Sequence, residues 1–195
     1  MDLSLNLTGT HVLITGGSGY IGSATVEALL TARAKVTSLD INPPRKLTRS
    51  GLDCQWIHCD IADESALKTA FDAAIQGFGP IACCIALASL DFSVLPHHGS
   101  LCDMEVEQWR RTHKINVEGT FLTARQWLRQ LRDHAATLKE GELRMENVSL
   151  IIVGSESGHF GERGNADYGS GKSAVQIGLV KSLMADVARI WPGAR

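Results

Sequence analysis

The chain has 195 residues, of which 44% are hydrophobic and 21% charged, and its formal net charge is −2. This balance is typical of a folded globular protein, so we expect residues 1–195 to form a single domain around one core. The small net charge gives no reason to expect nucleic acid or an anionic membrane as a partner. No apolar stretch approaches the roughly 18 residues of a membrane span, and the five cysteines contain no C-x-x-C pair. We therefore expect a cytoplasmic protein without a metal site.

Apolar strands alternate with amphipathic helices along the chain. The pattern predicts a strand at residues 11–15, a helix at 20–33, and strands at 35–39 and 54–59. A helix at 63–76 with Asp63 as its N-cap, a strand at 81–86, and helices at 103–112 and 114–131 follow. A strand at 148–153 and a helix at 165–190 complete the order. Continuous apolar strands are buried on both faces, so we expect an α/β fold with a doubly wound parallel sheet. Its ligand crevice would lie at the carboxyl ends of the strands.

A glycine-rich turn joins the first strand to the first helix. Gly16, Gly19 and Gly22 are spaced three residues apart, and Gly17, Gly19 and Gly22 also satisfy G-x-G-x-x-G. Glycine permits the tight turn and lets the backbone approach a pyrophosphate, whose charge the exposed N–H groups at the helix start attract. The turn therefore predicts a dinucleotide-binding site, although glycines also serve simple turns.

Two aspartates follow the next two strands. Asp40 lies 18 residues after Gly22, where a carboxylate accepts hydrogen bonds from adenosine ribose hydroxyls and repels a 2′-phosphate. We therefore expect NAD as the cofactor, with NADP kept open because Arg45 and Lys46 are close by. Asp60 closes the third strand beside Ile61, and its carboxylate is a candidate partner for the adenine amino group.

Tyr168 and Lys172 are four residues apart near a predicted helix start, so both lie on one face. A phenol has a pKa of about 10 in water, too high for a base near neutrality, and a neighbouring ammonium lowers it. The pair therefore predicts a tyrosine general acid and base, against the alternative of an exposed Tyr–Lys pair.

Ser155 follows the strand at 148–153 and lies 13 residues before Tyr168, at the expected crevice. Its hydroxyl can hydrogen-bond a substrate oxygen as charge develops there, and Ser157 is a weaker substitute. Asn116 interrupts an apolar helical segment, and a buried amide at that point requires hydrogen-bonding partners.

Together these residues resemble the short-chain dehydrogenase/reductase family over essentially the whole chain. The resemblance implies that Tyr168 is the general acid and base, that Lys172 lowers its pKa and holds the nicotinamide ribose, and that Ser155 orients the substrate oxygen. It implies that Asn116 supports a water leading protons to Lys172, and that the two long helices pair in a homodimer or homotetramer. The substrate would be a small alcohol or ketone. The implied cofactor contacts come from the glycine turn and the strand ends: Gly16, Ser18, Gly19, Tyr20, Ile21, Gly22, Asp40, Asp60, Ile61, Ala88, Tyr168 and Lys172.

Three features depart from the family pattern. Tyr20 stands where the single-domain branch carries glycine, and this turn spacing is typical of the larger epimerase-like branch, whereas the interval from Ser155 to Tyr168 favours the single-domain branch. The family's Asn-Asn-Ala-Gly is replaced by residues 86–89, Ala-Leu-Ala-Ser, so we expect the side-chain hydrogen bonds that stiffen that strand to be lost. The chain also stops where a further strand would begin, and we expect the sheet to lack the family's last strands.

Two other functions remain open at this stage. The chain could be a dinucleotide-binding regulatory or scaffold protein without turnover, or a relative of sugar-nucleotide epimerases and dehydratases. The loop 90–103 and the segment 159–167 are expected to flank the substrate, and His97, His98 and His159 are interpreted as solvated loop side chains.

Overall fold

The computed structural model describes residues 6–44, 53–139 and 145–195. Five parallel strands form one sheet in the order β3-β2-β1-β4-β5, with helices on both faces. The strands are β1 (His11–Thr15), β2 (Lys35–Asp40), β3 (Cys54–His58), β4 (Cys83–Ala86) and β5 (Ser149–Ile152). The helices are α1 (Tyr20–Thr31), α2 (Glu64–Phe78), α3 (Val106–His113), α4 (Thr120–Thr137), α5 (Ser157–Phe160), α6 (Ala166–Ser173) and α7 (Val180–Ile190). The predicted doubly wound parallel sheet is confirmed.

Strand β1 lies at the centre because its apolar side chains can be buried on both faces. Leu13 and Ile14 are fully buried on opposite faces of the sheet, as side chains alternate along a strand. Leu13 belongs to the larger core cluster, which includes Phe71 of α2 and Trp127 of α4. Ile14 belongs to a second cluster on the face that α1 covers.

Local hydrogen bonds explain both the predicted start of α2 and the end of α1, which comes earlier than predicted. Asp63 caps α2, because its Oδ1 accepts hydrogen bonds from the backbone N–H groups of Ser65 (2.8 Å) and Ala66 (3.1 Å). Helix α1 ends earlier than the expected residue 33, because Arg33 adopts a left-handed φ of 62°. The N–H of Arg33 then bonds the Leu30 carbonyl and that of Ala34 the Leu29 carbonyl, a common way to close a helix end.

Both long helices contain a π-helical turn that the sequence pattern does not predict. A π-helical turn at Lys114–Gly119 joins α3 to α4, so the two predicted helices form one continuous helix. A second turn at Ala174–Leu179 joins α6 to α7. Such turns often mark functional sites. The first turn contains Asn116, and the second begins two residues after Lys172.

Strand β5 forms an edge of the sheet. Its side chains are half-buried or exposed, in contrast to those of β1 and β4. The backbone of Arg195 lies along this edge, because its N–H bonds the Val148 carbonyl (3.0 Å) and its carbonyl accepts from the Leu150 N–H (2.9 Å). In the part of the chain that the structure describes, no helix is both long and apolar enough to cross a bilayer.

Candidate active site

The glycine turn between β1 and α1 is a cradle closed by backbone atoms. Gly16 has a φ of +74°, and a Cβ there would lie 2.8 Å from the Ala88 Cα. A Cβ on Gly22 would fall on the Gly16 carbonyl oxygen. Helix α1 has no side-chain cap and no acidic residue in its first turn, so no carboxylate of the first turn opposes an anion at the positive end of its dipole.

Asp40 and Ser18 hold this turn against the end of β2. The Asp40 carboxylate accepts hydrogen bonds from the backbone N–H of Ser18 (2.9 Å) and of Asn42 (2.9 Å), and the Ser18 hydroxyl donates to the Asn42 carbonyl (2.8 Å). A carboxylate has about four acceptor positions, so Asp40 can still accept from a ribose. Arg45 and Lys46, which could favour a phosphate, lie outside the described residues. Tyr20 and Ile21 are largely exposed at the start of α1.

Thr15 stiffens the end of β4, a role that the sequence analysis missed. Its hydroxyl accepts from the backbone N–H groups of Leu87 and Ala88, both at 3.2 Å. The loss of the Asn-Asn side-chain hydrogen bonds stays a prediction from the sequence, and a threonine on the neighbouring strand holds this strand end. Ala88 lies against Gly16, so its backbone forms part of the same cradle.

Asp60 and Ile61 follow β3 and play different parts. Asp60 is exposed, and its Oδ1 accepts from the Ala62 N–H (2.9 Å) in a tight turn. Ile61 is buried and packs on Gly119 of the π-helical turn so closely that a Cβ there would lie 2.6 Å from the Ile61 Cδ1. Ile61 thereby fixes the helix that carries Asn116 against the end of the sheet.

The Asn116 amide is buried and pairs with the backbone of Leu90. Its Oδ1 accepts from the Leu90 N–H at 2.7 Å, and its Nδ2 donates to the Leu90 carbonyl at 2.9 Å. The amide thus satisfies both backbone groups of one residue, as a neighbouring strand would. Asn116 anchors the chain that leaves β4, and its predicted part in a proton path to Lys172 stays a prediction.

The Ser155 hydroxyl takes part in two hydrogen bonds at the site. Its Oγ accepts the Ser157 N–H (3.2 Å), and its own backbone N–H donates to Gln176 Oε1 (2.7 Å). A side-chain hydrogen bond also links Ser155 to Tyr168. Ser157 is committed elsewhere, because its hydroxyl donates to Glu162 Oε2 (2.7 Å), and this favours Ser155 over Ser157 as the substrate-orienting serine.

Tyr168 and Lys172 are both buried on one face of α6. The Lys172 Nζ lies 5.7 Å from the centroid of the Tyr168 ring and donates to the Val153 carbonyl (2.9 Å). Burial raises the pKa of Tyr168, the Ser155 hydrogen bond opposes that rise, and the negative charges of Asp91 and Glu162 add to it. Burial also lowers the pKa of Lys172. The lowering of the Tyr168 pKa by Lys172, whose ammonium lies over the ring, stays a prediction.

Residues that the sequence analysis did not single out complete the site. Phe92 packs on Tyr168 with ring centroids 4.6 Å apart, and Asp91 acts electrostatically on both Tyr168 and Lys172. Both belong to the loop 90–103, which was expected to flank the substrate. No spacing signal in the sequence distinguishes them, because they meet Tyr168 only through the fold.

A polar network ties that loop to the catalytic helix. Buried Asp167 accepts from the Thr112 hydroxyl (2.7 Å) and from Gln108 Nε2 (3.1 Å), and the Oε1 of Gln108 lies 2.7 Å from His98 Nε2. His97 Nδ1 is 3.3 Å from Asn165 Oδ1. His97 is exposed and His98 is half-buried, so their interpretation as solvated side chains stays a prediction, although each also has a polar partner in the protein.

Comparisons with known proteins agree with this arrangement. A family model described as short chain dehydrogenase matches residues 10–190. The chain is 29% identical over 187 residues to a 2,5-dichloro-2,5-cyclohexadiene-1,4-diol dehydrogenase of Sphingobium indicum, covering 94% of this chain and 69% of that protein. It is 25% identical over 187 residues to an NADP-dependent (R)-specific alcohol dehydrogenase of Lentilactobacillus kefiri, covering 93% of this chain and 68% of the relative.

The fold matches solved structures equally well. A short-chain dehydrogenase of Leptospira borgpetersenii with bound NAD+ superposes with a TM-score of 0.83 at 24% identity, covering 100% of this chain and 71% of that one. The two relatives are dehydrogenases by name, which favours the dehydrogenase reading over the scaffold and epimerase alternatives. The chain therefore belongs to the short-chain dehydrogenase family and is an oxidoreductase of the nicotinamide-dependent class.

Proposed function

We propose that the chain interconverts a small alcohol and its ketone with NAD as cofactor, and that Tyr168 is the general acid and base. Residues 1–195 act together in this as one cofactor-binding and catalytic domain. One observation carries the proposal: the buried Tyr168 hydroxyl is hydrogen-bonded to Ser155, and Lys172 lies against the same ring. A protein that only bound a dinucleotide would have no need of this group.

The glycine cradle fits the pyrophosphate of a dinucleotide. Side chains at Gly16 and Gly22 would collide with the backbone of Ala88 and of Gly16 itself, so glycine at these positions keeps the turn compact at the start of α1, where a phosphate would bind. When bound, the nicotinamide supplies or accepts the hydride. The residues that would hold the cofactor are those around the cradle and the strand ends: Gly16, Ser18, Gly19, Tyr20, Ile21 and Gly22 for the phosphates, Asp40 for the ribose, Asp60, Ile61 and Ala88 for the adenosine, and Tyr168 with Lys172 for the nicotinamide ribose.

Asp40 supports NAD over NADP. Its carboxylate lies at the end of β2 beside Ser18, where a 2′-phosphate would meet a negative charge. The Lentilactobacillus kefiri relative is NADP-dependent by name and the Leptospira borgpetersenii structure holds NAD+. These two proteins point to different cofactors, so the preference of this chain for NAD rests on Asp40.

The catalytic roles follow from the hydrogen bonds. In reduction, the Tyr168 hydroxyl gives its proton to the substrate oxygen, and in oxidation the phenolate takes the proton of the alcohol. Ser155 donates to the same substrate oxygen, since its lone pair already accepts the Ser157 N–H. The two Lys172 protons not bound to Val153 are available to the nicotinamide ribose. Asn116 holds the loop through Leu90 and would support a water that leads protons to Lys172.

The raised pKa of Tyr168 gives the reaction a pH dependence. Below this pKa the residue is a neutral phenol, which is the acid needed for reduction. Oxidation needs the phenolate, so its rate should rise as pH rises through the Tyr168 pKa, while reduction should fall over the same interval.

Assembly and location complete the proposal. A homodimer or homotetramer would bury the exposed Trp109 and Phe121, which lie on one side of the continuous helix α3–α4. Five free cysteines, of which three are buried, support a reducing compartment such as the cytoplasm.

The first experiment is a titration with NADH and with NADPH, followed by nicotinamide fluorescence. We expect tighter binding of NADH, and Asp40→Ala should remove the preference. Asp53→Ala is the matched control, because Asp53 precedes β3 at the opposite end of the β2–β3 pair. Equal binding of NADH and NADPH by the unaltered chain would contradict the cofactor assignment.

The second experiment tests the chemistry. Tyr168→Phe should lower kcat by about 10²–10⁴-fold and weaken NADH binding far less, because it removes the proton-transfer group but only one of the proposed contacts with the cofactor. A Tyr168→Phe variant that turns over substrate as the unaltered chain does would refute the assignment of Tyr168.

A further inference from the structure

The loop in front of Tyr168 is fixed at both ends. Asn116 holds Leu90 through two hydrogen bonds, at 2.7 and 2.9 Å. At the other end, the Pro96 carbonyl accepts from Asn165 Nδ2 (2.9 Å), and the His98 N–H donates to the Gly164 carbonyl (3.0 Å). Because these partners belong to the catalytic helices and the turn before α6, the residues between them keep a set position relative to Tyr168.

Phe92 forms an apolar wall at this position. Its ring packs on Tyr168 with a centroid separation of 4.6 Å and an interplanar angle of 58°, and half of the side chain (50%) remains exposed. One part of the Phe92 ring packs against the ring of Tyr168, and the exposed part is available to contact a substrate. An exposed aromatic surface at a reaction centre favours an apolar ring or chain.

Two carboxylates, Asp91 and Glu162, act electrostatically on the phenol, and both are held by hydrogen bonds. Asp91 accepts the Ser93 N–H on its Oδ1 (2.9 Å), and it lies between Leu90 and Phe92, both of which are held. Glu162 accepts the Ser157 hydroxyl (2.7 Å), and Ser157 in turn donates its N–H to Ser155. Asp91 is therefore next in the chain to Phe92, which packs on Tyr168. Glu162 is hydrogen-bonded to Ser157, which donates to Ser155.

Lys172 is a buried cation on which Asp91 also acts. Its Nζ is buried and donates to the Val153 carbonyl, and Asp91 stabilises its charge. An anionic substrate would meet a buried ammonium on which Asp91 already acts, together with the negative charge of Glu162 that acts on Tyr168. The charge balance around Tyr168 therefore opposes anions.

We propose that this site selects uncharged alcohols or ketones that carry an apolar ring or chain, with Phe92 as the contact surface and with Asp91 and Glu162 excluding substrates that bear a carboxylate or phosphate next to the reacting carbon. The inference rests on the proposed function, because it assigns a substrate class to the same site. It adds three specificity-determining residues that lie outside the catalytic set.

The test compares two ketones that differ by one charge, methyl benzoylformate and benzoylformate. Binding is measured by saturation-transfer NMR with and without NAD+, so it does not depend on turnover. We expect the neutral ester to bind at least about tenfold more tightly, the effect of one unit of charge at a partly screened distance. The double variant Asp91→Asn with Glu162→Gln should reduce this ratio to within about threefold, because it keeps the hydrogen bonds and removes both charges.

Two controls separate charge from structure. Asp133→Asn removes a carboxylate near the far end of α4, about 25 Å along the helix from Asn116, and should leave the ratio unchanged. Phe92→Ala should weaken both ketones by about fivefold through lost apolar contact, and Phe92→Leu should restore most of that loss.

The outcomes are distinct. Equal binding of the two ketones by the unaltered chain, an unchanged ratio in the double variant, or no binding of either ketone would overturn the proposal. If the neutral ketone binds selectively but NADH does not reduce it, the selectivity stands and the proposed function fails.

Discussion

Gly22 provides the sharpest test of the glycine cradle. A helix normally gains about 1 kcal/mol when an internal glycine becomes alanine. At Gly22, however, the new Cβ would fall on the Gly16 carbonyl oxygen and lie 2.8 Å from the Gly17 Cα. These are backbone atoms that cannot swing aside, since the Gly16 N–H bonds the Leu39 carbonyl (2.7 Å) and the Gly16 carbonyl accepts the Gly19 N–H (3.1 Å).

The clash should outweigh the gain in helix propensity. Overpacking of this kind costs about 1–3 kcal/mol, so Gly22→Ala should lose up to about 2 kcal/mol of unfolding free energy after the gain is subtracted. The displaced turn should also weaken NADH binding by about tenfold or more, because each lost hydrogen bond to a charged phosphate costs about 1.5–3 kcal/mol.

Gly178→Ala is the matched control. Gly178 also lies in a helical segment, but nothing stands within 4 Å of a Cβ placed there. This variant should gain up to about 1 kcal/mol and bind NADH as the unaltered chain does. Urea unfolding followed by tryptophan fluorescence measures the first quantity, and an NADH titration measures the second. A Gly22→Ala protein as stable as the unaltered chain, with unchanged NADH affinity, would refute the steric argument.

Three further predictions concern residues that hold the sheet and the site together. Burial lowers the pKa of His11, so the folded chain disfavours its protonated form; the free energy of unfolding should fall as pH drops below about 6.5, and urea titrations at several pH values should show a smaller fall in His11→Asn. Asn116→Leu leaves the N–H and carbonyl of Leu90 without the amide, and should cost about 1–3 kcal/mol of stability in urea unfolding; an undiminished value would show that the pairing contributes nothing. Thr15→Val keeps the side-chain shape but removes the acceptor for Leu87 and Ala88, and calorimetry should show a lower Tm together with weaker NADH binding.

His11 shows why such a group resists protonation. Its Nδ1 lies 2.7 Å from the Gly79 carbonyl, which can only accept, so Nδ1 must carry the proton. Its Nε2 then accepts from the Thr37 hydroxyl (2.8 Å), which itself accepts from Gln55 Nε2 (2.7 Å). A second proton on the ring would require the Thr37 hydroxyl to accept from Nε2 as well, so its own hydrogen would have to turn away from His11.

The sequence predicted what local chemistry controls. Buried strands, the Asp63 cap and the glycine turn each depend on a few neighbouring residues, and their expected positions agree with the structure. The parallel order of the strands follows from the same apolar pattern together with the rule for crossover connections.

The sequence could not predict contacts made between distant residues. Leu90 and Asn116 are 26 positions apart, and Thr15 and Ala88 are 73 apart. The spacing of Tyr168 and Lys172 placed both on one face, yet it could not show that Lys172 reaches the Val153 carbonyl or that Asp91 lies nearby. The sequence also did not predict the π-helical turns, because no pattern of glycine or proline distinguishes such a turn from an ordinary α-helix.

The backbone of Arg195 has a practical consequence for anyone who labels this protein. Gly193 turns the chain with a φ of 92°, and Arg195 then pairs with Val148 and Leu150 along β5. Any peptide fused after Arg195 would start in parallel register with the edge of the sheet, where extended, apolar sequences pair most readily. An affinity tag or fluorescent reporter on this side should begin with proline or charged residues, which do not extend the ladder.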